Sequence, residues 1–172
     1  MMTVKKQKEA TGAAGGQRRR VPHELAARVA RGEITLADLA GMSRKHLYDI
    51  AEVGFRLMNG GQVEQARAIY RGLVAAAPQD SVFHCHLGAA HLRLGDAESA
   101  IKEFDAALRL NRANVDALAG RGEARLSRRE FADGITDLSA AIDLDREAKR
   151  PSTLRARALL LALTQAAKKK SE

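Results

Sequence analysis

The sequence predicts an all-α fold: a solenoid of three helix pairs with an N-terminal helical leader and a C-terminal capping helix. Three observations carry that reading. Residues recur at a step of 34: Gly54, Gly88 and Gly122; Ala66, Ala100 and Gly134; Tyr70, Phe104 and Leu138; Leu73, Ala107 and Ala141. Apolar residues make up 45% of the 172 positions and aromatics 3%, so the core is built from Ala, Leu, Val and Ile, which favours helix over sheet. Capping residues stand ahead of the apolar-periodic runs: Ser43, Asp80 or Ser81, Asp96 and Asn114.

A 34-residue period with a small residue at place 8, Ala at place 20 and a bulky apolar residue at place 24 is the tetratricopeptide signature. Small residues are needed where the two backbones of a pair approach most closely. Glycine inside a helix costs roughly 1 kcal/mol against alanine, so three at one period imply a packing need. Each repeat touches only its neighbours, and the stack grows as a curved solenoid with a concave face. Val53 and Leu87 share a further place, which lapses to Arg121.

Residues 1–20 are polar, basic and without apolar periodicity, so a disordered tail is expected. The leader, 21–46, opens at Pro22, whose missing N–H suits a first helical position. Leu25 and Val29 form one face and Gly32 ends the helix. Thr35 caps a short turn with Leu36 and Leu39, closed by Gly41. The repeats span 47–80, 81–114 and 115–146. Gly60-Gly61 and Gly95 turn the first two pairs, while the third turns near Ser127–Glu130 without glycine. Phe131, Ile135, Leu138 and Ile142 line its second helix. A capping helix over 147–168, opened by Pro151-Ser152, is expected to cover the stack with Leu154, Ala158, Leu161 and Ala162, leaving 169–172 as a tail.

The net charge is +8, of which residues 1–20 hold +5 and residues 168–172 hold +2, leaving +1 for the rest. The domain is nearly neutral, so the basicity belongs to the tails. Those tails are expected to contact nucleic acid or anionic membrane only weakly; no aromatic is interleaved for base stacking. With no long apolar run, no apolar stretch after the first lysines and Cys85 as the single cysteine, the reading is a cytoplasmic protein without disulfides.

The segment Gly32-Glu33-Ile34-Thr35-Leu36-Ala37-Asp38-Leu39-Ala40-Gly41-Met42-Ser43, running into Tyr48, resembles the leader of the type III secretion chaperones that guard translocator proteins. In that family an N-terminal helix and a Gly-x-Thr-Leu-x-x-Leu-x-Gly-x-Ser-like segment precede three tetratricopeptide repeats. Here one extra residue separates Gly32 from Thr35. The basic N-terminal tail and the arginines at 121, 125 and 129 also depart from the family pattern. The resemblance implies a small cytosolic chaperone that holds a secreted, membrane-active client, with a homodimer through the N-terminal helix.

In tetratricopeptide folds, places 2, 5, 9 and 12 of each first helix point into the groove. They are Tyr48, Ala51, Phe55 and Met58 in the first repeat, and Val82, Cys85, Ala89 and Leu92 in the second. The third contributes Asp116, Ala119, Glu123 and Leu126. This groove is apolar at one end and acidic at the other, which suits an extended apolar protein segment. Tetratricopeptide domains that clamp a C-terminal carboxylate use Lys and Asn at places 5 and 9. Ala51/Phe55 and Cys85/Ala89 stand there, so a clamp is rejected. The competing reading packs Phe55 and Met58 beneath the leader as ordinary core.

His84, Cys85, His86 and His91 cluster in sequence, but positions two apart on a helix face different ways. His84 and His91 hold places 4 and 11, normally core, so no metal is expected. Without a phosphate loop or nucleophile motif, neither an enzyme nor a cofactor is expected. Two functions remain: a client-holding chaperone, and a scaffold or adaptor that joins folded partners.

Overall fold

The computed structural model describes residues 23–171, and the N-terminal tail and Pro22 lie outside the described residues. The leader forms α1 (His23–Ala30) and α2 (Leu36–Leu39). Three pairs follow: α3 (Arg44–Asn59) with α4 (Val63–Ala76), α5 (Ser81–Arg93) with α6 (Ala97–Leu110), and α7 (Val115–Ser127) with α8 (Phe131–Leu144). The chain then runs into α9 (Pro151–Ser171), which continues beyond Lys168. Each helix packs on its sequence neighbour, and α9 lies against both α7 and α8.

The caps fall where the sequence places them. Thr35 and Asp38 form a capping box on α2, and Ser43 accepts from the His46 N–H. Asp80, Asp96 and Asn114 accept from the N–H groups of Val82, Ser99 and Ala117. The small residues sit at closest approach: a Cβ on Gly88 would lie 2.9 Å from the Phe104 ring, and one on Gly122 would lie 2.8 Å from Leu138 Cγ. Tyr70, Phe104 and Leu138 are fully buried between the pairs.

The arginines that break the third repeat's pattern are built into the packing. Arg121 and Arg125 converge on the buried carboxylate of Asp137 on α8, and Arg121 also bonds Asp105 on α6. Arg129 takes the left-handed conformation (φ 65) that Gly61 (φ 79) and Gly95 (φ 81) take in the first two turns.

Two expectations are corrected. Leu154 and Leu161 are 56% and 60% exposed, with Ala158 and Ala162 exposed beside them. The face of α9 that covers the stack is instead Ser152, Thr153 and Ala156, flanked by half-buried Leu159, Leu160 and Leu163. Polar anchors set this rotation. Asp145 accepts from the Lys149 and Arg150 N–H groups and from the Thr153 hydroxyl, which hold its carboxyl below the ordinary range, with Thr153 the largest cause. Asp116 accepts from Arg150 Nη1 at 2.6 Å and Ser152 Oγ at 2.5 Å. The second correction is on α8, where Phe131 and Ile135 are 51% and 41% exposed rather than core. Ala97 and Ile101, one period earlier, are half-buried in a core cluster with third-repeat residues. No further repeat follows α8 to enclose Phe131 and Ile135 in the same way.

Candidate functional site: the inner face of the solenoid

The first helices α3, α5 and α7 present the eleven groove positions at different depths. Ala51, Met58, Cys85 and Ala119 are buried and form a packed floor. Met58 is therefore core, while Phe55, grouped with it in the competing reading, is 46% exposed. Val82 is 37% exposed, and Tyr48, Ala89, Leu92, Glu123 and Leu126 are half-buried. An apolar ledge thus runs from Phe55 on α3 to Val82, Ala89 and Leu92 on α5. Places 2, 5, 9 and 12 of the first two repeats contain no charged side chain.

The ledge is fixed from behind. Tyr48 donates its hydroxyl to Asp80 at 2.9 Å and packs its ring 5.2 Å from that of Phe83. Tyr70 donates to the Ala51 carbonyl at 3.2 Å. Arg93 donates to the Met58 carbonyl at 2.8 Å, which ties the last turn of α5 to that of α3. Counting groove places leaves out His86, yet its ring stacks on Tyr70 at 4.9 Å and meets Phe55 edge-on at 6.4 Å. The signal that could have found it is the next-repeat contact: place 6 of one repeat meets place 24 of the repeat before. Burial lowers the His86 pKa and favours the neutral ring.

At the other end, the acids are already engaged. Asp116 holds Arg150 and Ser152, and Glu123 lies 4.0 Å from Arg155 on α9. The groove therefore ends at a polar seam where the N-terminal half of α9 crosses α7.

The clustered His and Cys residues separate in space. His84 Nδ1 lies 2.7 Å from Glu103 Oε2 and its Nε2 lies 3.0 Å from the Pro78 carbonyl. His91 Nδ1 lies 3.3 Å from Asp96 Oδ2, without hydrogen-bond geometry. Both rings are mostly covered, His84 at 12% and His91 at 17% side-chain exposure. Burial pushes the Cys85 thiol up to about 12, so the thiolate a metal or electrophile needs is disfavoured. Among the described residues, no three His, Cys, Asp or Glu side chains come together as a metal site. Among them, too, no helix is long and apolar enough to cross a membrane.

The tetratricopeptide-repeat family model matches residues 54–115 and 85–151, more than half of the chain, and the chain belongs to that family. Solved structures similar to it include two from type III secretion systems. The chaperone SycD of Yersinia enterocolitica, in complex with a peptide of the translocator YopD, superposes with a TM-score of 0.62 at 22% identity, covering 76% of this chain and 98% of that one. A type III secretion complex from Aeromonas hydrophila gives 0.70 at 21% identity, over 87% of this chain and 100% of the other. The first tetratricopeptide domain of Spaghetti (RPAP3), bound to the HSP90 peptide SRMEEVD, gives 0.60 at 23% identity, over 71% and 96%. No curated protein matches the sequence.

Proposed function

We propose that this protein is a non-enzymatic chaperone that holds an extended apolar segment of a secreted or membrane-active client along the inner face of its repeats. The observation that carries the reading is the exposure of Phe55 and Val82 beside half-buried Ala89 and Leu92, on helices where a mere spacer would tolerate charge. Each client side chain buried there contributes about 1.5–3 kcal/mol before ordering costs, so a few anchors give useful affinity. Two similar structures hold peptides, SycD one from a translocator and the Spaghetti domain one from HSP90, which supports peptide holding as the use of this face. The leader segment and the SycD-like fold favour the translocator type of client. The HSP90 type is disfavoured because Ala51, Phe55, Cys85 and Ala89 stand where a carboxylate clamp needs Lys and Asn.

The test is an array of extended peptides graded from apolar to acidic, probed with the full chain. The reading expects binding that rises with Leu, Val and Pro content and is insensitive to a free C-terminal carboxylate. Preference for acidic peptides with free C-termini would overturn it. No peptide binding, with capture of intact folded complexes instead, would favour the adaptor function.

A further inference from the structure

The solenoid has a second uncovered apolar surface, at its C-terminal end. Helix α9 is apolar on two opposite sides. Ala156, Leu159, Leu160 and Leu163 pack on the stack, while Leu154 and Leu161 point the other way at 56% and 60% exposure. A helix with apolar residues all round is normally enclosed, and here one side is not. Beside it, Phe131 and Ile135 on α8 are uncovered at 51% and 41%. Four large apolar side chains therefore stand exposed on two helices that pack against each other, a concentration that marks an interaction surface.

The charges say what covers it. Helix α8 carries Asp133, Asp137 and Asp143 and no basic residue, and Asp133 and Asp143 are exposed. Helix α9 carries Arg155, Arg157 and a lysine run from Lys168, and no acid. The end face is thus an acidic apolar helix beside a basic apolar helix. Under a two-fold axis, α8 of one copy meets α9 of the other in both directions, so each acidic strip faces a basic one. A self-complementary patch of this kind is what an isologous interface requires.

We infer that a second copy of this chain docks on the α8–α9 end face, giving an end-to-end dimer whose two inner grooves stay open. The patch comprises the outer sides of two helices, at the small end of stable interfaces, so the dimer dissociates in the micromolar range. This is a different surface from the N-terminal helix, and it does not depend on what the groove binds.

The experiment is sedimentation velocity of the full chain over a concentration series, with circular dichroism of each variant. The wild type is expected to pass from monomer to dimer across roughly 1–100 μM. Leu161→Asp and Phe131→Asp, both at exposed positions, are each expected to abolish the dimer while leaving helicity unchanged. Asp133→Lys and Arg157→Glu are each expected to weaken it about tenfold, and the two together in one chain to restore it. A monomer at all concentrations overturns the inference, as does a dimer that survives both apolar exchanges. Liposome co-sedimentation with anionic vesicles is the control: a wild-type monomer whose vesicle binding is lost in Leu161→Asp would assign the face to membrane and refute the dimer.

Discussion

Arg121 on α7 lays its guanidinium across the Asp137 carboxylate on α8, with Nη2 2.6 Å from Oδ1 and Nε 2.8 Å from Oδ2. The two earlier repeats have Val53 and Leu87 at the arginine's place, so a forked ion pair has replaced an apolar contact. Arg125 adds a third bond to Asp137 at 2.8 Å, and the carboxylate is almost fully enclosed. Asp137→Ala strands two arginines in a half-buried site. The expected loss is about 3 kcal/mol of unfolding free energy in urea, the low end for breaking a buried pair because Asp105 still holds Arg121. Adding Arg121→Leu to Asp137→Ala should recover a large part of that loss, since the apolar contact of the other repeats is then restored.

Arg129 offers the opposite exchange. It adopts φ 65 at the place where Gly61 and Gly95 stand. A side chain costs roughly 1–2 kcal/mol in that conformation, and glycine returns part of it as unfolded-state entropy. Arg129→Gly is expected to raise stability by about 0.5–1 kcal/mol, read as a higher thermal midpoint.

Much of this was legible in the sequence, because close backbone approach and helix starts each demand particular residue types. The 34-residue step of small residues and the caps at Thr35, Ser43, Asp80, Asp96 and Asn114 all follow from that. The ion-pair network was not legible. Arg121 reads as a lapse until Asp137, 16 residues away, is seen on the facing helix. The rotation of α9 was hidden because both of its sides are apolar. Two signals were available: Asp116 and Asp145 as anchors, and buried Ala156 at one further period beyond Gly122. Groove depth escaped as well, since place numbers give direction and not how far a neighbour covers Met58 or Cys85.

Gly122 tests the close-approach argument. A Cβ there would lie 2.8 Å from Leu138 Cγ and 2.9 Å from the Gly134 carbonyl oxygen, and the backbone of α8 cannot yield as a side-chain tip can. Gly122→Ala is expected to cost about 1–3 kcal/mol despite alanine's better helix propensity. Gly72→Ala, with open space at its Cβ, is expected to stabilise instead.

Two histidines give the fold opposite pH dependences. Glu103, the largest cause, raises the His84 pKa, so its contribution is complete below the unfolded value and lost as pH rises through the folded one. Burial lowers the His86 pKa, so its contribution is complete above the unfolded value and lost as pH falls through the folded one. His84→Gln should therefore leave a protein whose stability falls on acidification from about pH 7 to 5. His86→Gln should leave one whose stability falls as pH rises from about 6 to 8. Urea midpoints across that range, compared with wild type, check both signs.

The central claim is that the apolar ledge on the inner face binds an extended apolar segment, and one titration tests it most directly. Ala89→Glu places a carboxylate in the middle of the ledge, and Phe55→Ala removes its most exposed side chain. An apolar peptide that binds the wild type is titrated into each folded variant by calorimetry. The account predicts unchanged helicity and affinity reduced roughly a hundredfold for Ala89→Glu, because the peptide must bury that charge unpaired, and about tenfold for Phe55→Ala. Wild-type affinity in a folded Ala89→Glu protein would contradict the groove.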